Sequence, residues 1–213
     1  MFSASAQEET SKNLFSGVFA VNHSLKISNR YQLKSSIEQR VPYDFSNSNF
    51  FDGTVNARTQ LTTGIQRKLG TFFSGAVGGM YRFAENANRQ RLYQQVGYVQ
   101  QTLTRFKIAH RLRLDQTFSP QETEYRYRYR FGAEIARRGF RTDPGESYFA
   151  FLTEILSKTK AGNYQTELRL VTQCGFLFKN SNKGEFLLEL RVDDVGVRPQ
   201  NLFLVGFSYY FTK

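Results

Sequence analysis

The chain has 213 residues and carries 29 Lys and Arg against 18 Asp and Glu, a formal net charge of +11. Apolar residues make up 40%, with 21 Phe, 12 Tyr and no Trp, and no run approaches the roughly 18 consecutive apolar residues of a membrane helix. A helical membrane protein is therefore excluded, whereas a β-barrel, whose strands hide alternate residues from lipid, is not. Cys174 stands alone, which excludes an intrachain disulfide and a thiol cluster for a metal.

Residues 1–13 are read as a signal-peptide remnant and the mature N-terminal segment. Ala4-Ser5-Ala6 has the small-x-small form of a cleavage site and polar Gln7-Glu8-Glu9 follows, although the basic and apolar parts of a signal are missing. Residues 14–213 are read as one barrel, since nothing in them resembles a linker and period-two alternation is nearly continuous.

In chain order, Phe15, Phe19, Val21, Leu25 and Ile27 share a face before a turn at Ser28-Asn29-Arg30. Tyr31, Leu33, Ser35, Ile37 and Val41 follow, opposite Gln32, Lys34, Glu38 and Arg40, and a polar loop runs from Pro42 to Gly53. Val55, Ala57, Leu61 and Ile65 alternate with Asn56, Arg58, Gln60 and Gln66. A turn at Lys68-Leu69-Gly70 leads to a glycine-rich strand with Phe73, Gly75, Val77, Gly79, Tyr81 and Phe83 on one face, its glycines relieving crowding or permitting a bend. Leu92, Val96 and Tyr98 then oppose Arg91, Tyr93 and Gln95, and Phe106, Ile108, His110, Leu112 and Leu114 oppose Lys107, Arg111, Arg113 and Asp115.

The most regular strand spans residues 124–135. Tyr125, Tyr127, Tyr129 and Phe131 point one way, and Glu124, Arg126, Arg128, Arg130 and Glu134 point the other. Phe149, Phe151 and Ile155 next oppose Glu154; Leu168, Leu170 and Cys174 oppose Glu167 and Arg169; Phe186, Leu188 and Leu190 oppose Glu189 and Arg191. Phe203, Phe207 and Phe211 line the last strand.

Eleven strands are counted, most of about 10–14 residues, a length suited to a tilted crossing of a bilayer. Tight turns are expected at one end and longer polar loops at the other. The expected fold is all-β: a single antiparallel up-and-down transmembrane barrel of about 10–12 strands. An odd count is the one misfit, because bacterial single-chain barrels normally have even numbers.

In such a barrel Tyr125, Tyr127, Tyr129, Phe131, Phe203, Phe207 and Phe211 are expected to face lipid. A lumen charge network is expected from Arg111, Arg113, Asp115, Glu124, Arg126, Arg128, Arg130, Glu134, Glu154, Glu167, Arg169, Glu189 and Arg191, since arginines inside a narrow barrel must pair with carboxylates.

The run His110-Arg111-Leu112-Arg113-Leu114-Asp115-Gln116, followed by Tyr125-Arg126-Tyr127-Arg128-Tyr129-Arg130, resembles a family of uncharacterised outer-membrane β-barrel proteins of the Bacteroidota, filed as a domain of unknown function. The Glu154 strand and the aromatic last strand are similar too. The resemblance implies a barrel in the outer membrane of a Gram-negative bacterium, and it implies no reaction.

A lipid hydrolase needs a nucleophile and a histidine within reach on the outer wall. Only His23 and His110 can serve as base. His110, beside Ile108 and Leu112, has Gln94 and Thr102 as candidate neighbours and no clear nucleophilic serine, and His23 has less in its favour. Nucleic acid is not expected as a partner, because alternation puts Tyr and Arg on opposite faces and not in one groove. Asp193-Asp194 alone does not make a calcium site, and no phosphate-cradling loop or metal-ligand set is present, so no cofactor is expected.

The expectation is therefore a non-enzymatic barrel with a charge-packed lumen. It would act as a structural or accessory subunit of an envelope secretion or assembly complex, with outer-membrane lipid and other envelope proteins as partners. A narrow anion-leaning channel ranks second and a lipid-modifying enzyme third.

Overall fold

The computed structural model describes residues 14–43, 57–84, 88–102, 104–118, 123–160, 162–195 and 199–213. The signal remnant expected in residues 1–13 and the strand position of Val55 lie outside these. Period-two alternation emerges as eleven strands: β1 (Leu14–Lys26), β2 (Tyr31–Tyr43), β3 (Arg58–Lys68), β4 (Phe73–Ala84), β5 (Arg89–Gln101), β6 (Phe106–Phe118), β7 (Thr123–Ala136), β8 (Ser147–Lys160), β9 (Asn163–Leu177), β10 (Lys183–Asp193) and β11 (Gln200–Thr212). They form one closed barrel in chain order.

Every sequential pair is antiparallel, but the barrel closes by pairing β1 with β11 in parallel, from Leu14 opposite Leu202 to Ser24 opposite Thr212. The antiparallel expectation is corrected at this seam. In an up-and-down order an odd strand count makes the first and last strands run the same way, so closure must be parallel. The seam is tight: a Cβ on Gly206 would lie 2.5 Å from the Val18 carbonyl oxygen. Lys26 N–H donates to the Lys213 carbonyl (2.9 Å) and Lys213 N–H to that of Ser24 (3.0 Å), extending the closure to the chain end.

Loop length does not separate the two ends as expected. The end with turns at 27–30, 69–72 and 102–105 also carries the 137–146 connection, while at the other end only 161–162 separate β8 from β9. Among the described residues, Lys26, Arg30, Lys68, Arg105, Arg137, Arg138, Arg141, Lys179 and Lys213 are exposed at the first end, with Asp143 exposed and Glu146 half-buried beside them. We call this the basic end and the opposite one the far end.

Large apolar side chains point outward on every strand, among them Phe19, Ile37, Ile65, Val77, Leu112, Tyr127, Ile155 and Phe186. The side chains most shielded from solvent point inward, and among the described residues they mix charged groups such as Asp115, Glu154 and Arg191 with apolar ones such as Tyr148, Leu156 and Leu204. Two glycine positions show how the lumen is filled. Tyr93 lies flat across β4 and β3, where a Cβ on Gly64 would sit 2.1 Å from its hydroxyl and one on Gly78 2.6 Å from it. The Arg113 guanidinium then stacks 4.0 Å from the Tyr93 ring centroid. Tyr148 uses Gly175 on β9 in the same way.

Candidate functional site

Two places carry chemistry: the lumen and the outer wall. In the lumen the β6–β10 register sets Arg111 opposite Arg130, Arg130 opposite Glu154, Glu154 opposite Arg169 and Arg169 opposite Arg191. Like charges side by side on a sheet repel, so this row holds only if carboxylates intervene. Glu154, 2% exposed, accepts that role: Arg130 Nε is 2.9 Å away, Arg111 Nη2 and Arg169 Nη1 are each 3.3 Å away, and Arg128 Nη1 is 3.8 Å away.

Asp115, fully buried, lies 2.8 Å from Arg113 Nε and 2.8 Å from Arg128 Nε. The contact with Arg128 is an ion pair made off the N–H axis, without hydrogen-bond geometry. Glu124 pairs with Arg126 and Glu167 with Arg169. Glu189 meets Arg191 at 2.5 Å, and Glu134 meets Lys107 at 3.0 Å. Lys158 (3.0 Å from Glu167), the Glu38–Arg40 pair (2.6 Å) and the Tyr148–Glu185 hydrogen bond complete the set, all on inward positions of the alternation.

Tyr125, Tyr127, Tyr129, Phe203 and Phe211 are exposed on the outer wall, with Phe131 and Phe207 half-buried beside them. His110 shares this wall but is enclosed by rings. Its Nδ1 is 2.8 Å from the Tyr129 hydroxyl, and Tyr98 and Phe131 stand directly opposite it on β5 and β7. Neither neighbour expected from sequence reaches it: Gln94 stands opposite Leu114, and the Thr102 hydroxyl donates to the Phe106 carbonyl.

His23 is placed differently. It stands directly opposite Ser35 on β2, Ser35 opposite Thr63 on β3, and Thr63 opposite Gly79 on β4. Directly opposed Cβ atoms on antiparallel strands are about 4.5–5.5 Å apart, within reach of an imidazole and a hydroxyl. The structure has Ser35 Oγ 3.3 Å from Thr63 Oγ1, and among the described residues no carboxylate orients His23. The three share their outward parity with Val21, Ile37 and Leu61.

They border an apolar groove of about 730 Å³ whose lining includes Val21, Ile37, Leu61, Tyr81, Leu92 and Phe118. A Cβ on Gly79 would meet nothing closer than 3.8 Å, so the missing side chain there leaves the groove floor open. A second furrow of about 770 Å³ runs past Ile65, Val77, Val96, Leu112 and Tyr127. The arrangement sets an imidazole and two hydroxyls on adjacent strands beside an apolar groove, groups able to act as base and nucleophile. Sequence reading missed it because strand register brings His23 and Ser35 together, and register is not written in either strand alone.

A closed barrel with an apolar outer wall and a charged lumen defines a protein of the outer-membrane β-barrel type. The chain belongs to the family described as protein of unknown function DUF2490, whose model matches residues 18–211. No curated protein matches the sequence. Among solved structures, LpxR from Salmonella typhimurium is similar in fold, with a TM-score of 0.53 at 9% identity over 87% of this chain and 84% of that one. LpxR is an outer-membrane enzyme that modifies lipid A. The expectation of a non-enzymatic accessory barrel is corrected by this finding, because a barrel of this fold serves an enzyme. That expectation found no clear nucleophilic serine near His110 and gave His23 less weight; the register sets Ser35 opposite His23.

Proposed function

We propose that this chain is a lipid-modifying enzyme of the Gram-negative outer membrane, in the Bacteroidota lineage suggested by its Tyr/Arg hairpin, and that it hydrolyses ester-linked acyl chains at its outer wall. The observation that carries the reading is the row His23, Ser35, Thr63 beside an apolar groove. The likeness to LpxR supports it at the level of fold.

Height favours an ester substrate. His23 and Ser35 lie three and four residues inside the strand ends flanking turn 27–30, roughly 8–10 Å along the barrel axis for a rise of about 3.3 Å per residue and a tilt near 40°. With the strand ends taken as the membrane surface and an interfacial layer about 5–7 Å deep on each side of the hydrocarbon, the pair would lie where headgroup meets hydrocarbon, which suits an ester carbonyl. The exposed cations of the basic end favour phosphate-bearing headgroups by about 1 kcal/mol each.

His23 takes the hydroxyl proton as Ser35 Oγ attacks the carbonyl. The leaving alcohol departs with that proton, and water activated by His23 releases the fatty acid and restores Ser35. Thr63 holds the Ser35 hydroxyl in place.

Two outcomes test this reading. The folded chain in vesicles of ester-linked phosphatidylglycerol is expected to release free fatty acid, and none from the ether-linked analogue; equal absence from both would refute it. Tyr127→Arg, at a position 55% exposed on the outer wall, is expected to lose about 2–4 kcal/mol of insertion stability, read as a lower folded fraction in vesicles. Unimpaired insertion would mean that this wall does not face lipid.

A further inference from the structure

The lumen charge network is unevenly balanced around the barrel. On the β6–β10 side most cations meet a carboxylate. Toward the far end of the β2–β5 sector the balance fails. Register sets Arg40 opposite Arg58, and Gln60 opposite Arg82, which in turn faces Arg89. Glu38 pairs with Arg40 at 2.6 Å, leaving Arg58, Arg82 and Arg91 to be accounted for.

Among the described residues none of these three has a carboxylate within ion-pair distance. Arg91 is 3% exposed, and its hydrogen bond goes to a neutral partner, the Thr117 hydroxyl at 2.9 Å. Arg82 donates to Gln60 Oε1 at 3.2 Å, while its buried Nε has no partner. Arg82 also lies in the field of Arg126, Arg40 and Arg89, opposed by Glu38. Asp115, which acts on Arg91, is already shared by Arg113 and Arg128.

Buried guanidinium groups without counter-charge are strongly unfavourable, and arginine keeps its proton under all ordinary conditions. Arg91 is buried and Arg58 and Arg82 are half-buried, so the charge balance among the described residues of this sector favours an anion. One carboxylate would neutralise a single charge of the three cations left without one among the described residues, whereas a phosphate near its second ionisation brings up to two charges. Its several oxygens also suit the forked donors of guanidinium groups on three adjacent strands.

We propose that Arg58, Arg82 and Arg91 form an anion site inside the lumen near the far end, built for a phosphate group. The site is separate from the outer-wall row, and its occupancy requires no hydrolysis.

The test uses the full chain folded in detergent micelles at low salt. Inorganic phosphate is expected to raise the thermal midpoint by several degrees beyond sodium chloride or acetate at equal ionic strength. Arg82→Gln and Arg58→Gln are each expected to weaken the apparent phosphate affinity about tenfold, the loss of one charge-assisted contact. A second readout excludes a merely structural role: without phosphate, Arg82→Gln should melt above the wild type, because a repelling charge is removed. Dihexanoyl phosphatidic acid is titrated in parallel; a shift with both ligands places a lipid phosphate in the site, and a shift with inorganic phosphate alone assigns the free ion. A phosphate effect no larger than that of chloride, or one that survives both substitutions unchanged, would overturn the proposal.

Discussion

Glu154→Gln is expected to lower the stability of the folded barrel by about 3–5 kcal/mol, the usual loss when one partner of a buried ion pair is removed and its counter-charges remain. Glu154 lies within 4 Å of four arginines and is 2% exposed, so without its charge Arg111, Arg130 and Arg169 are left in one row with Arg191. Arg128→Leu should be milder, near 1–3 kcal/mol, because Asp115 keeps Arg113 and Glu154 keeps three other cations. Denaturant titration in micelles, read by the change in gel mobility on unfolding, separates the two. A Glu154→Gln midpoint equal to wild type would mean that the lumen is solvated enough to make the network irrelevant.

The second large effect concerns the outer wall. Ser35→Ala and His23→Ala are each expected to reduce acyl-ester hydrolysis at least about 10³-fold, and the double variant should be no slower than the worse single one, since nucleophile and base act as one unit. Stability should change little, because neither side chain is deeply buried. His110→Ala should leave hydrolysis unchanged, as its Nδ1 is engaged by Tyr129 and no aliphatic hydroxyl stands opposite it on the neighbouring strands. If His110→Ala were inactive and His23→Ala active, the assignment of the base would be wrong.

Much of the barrel was legible in the sequence because its physical cause is local. Alternation along Tyr125 to Arg130 sets the two faces of β7 without reference to any other strand. What escaped reading depends on pairs of strands. The parallel closure at Val18 and Gly206 follows from an odd count, a property of the whole chain. The role of Gly78 needs the position of Tyr93 on the next strand, and the shortage of carboxylates around Arg82 among the described residues needs the register of β2 through β5. His23 and Ser35 are 12 positions apart in sequence, and only the registration of β1 on β2 makes them neighbours. A sequence cue did exist: two strands joined by a four-residue turn at 27–30, with His23 and Ser35 nearly symmetric about it.

The most direct test of the outer-wall assignment is covalent capture of the nucleophile. The folded chain in micelles is treated with a long-chain alkyl fluorophosphonate, and the modified residue is located by peptide mass spectrometry. Labelling at Ser35, lost in His23→Ala and retained in His110→Ala, is the predicted result. No labelling, or labelling that is indifferent to His23, would contradict it.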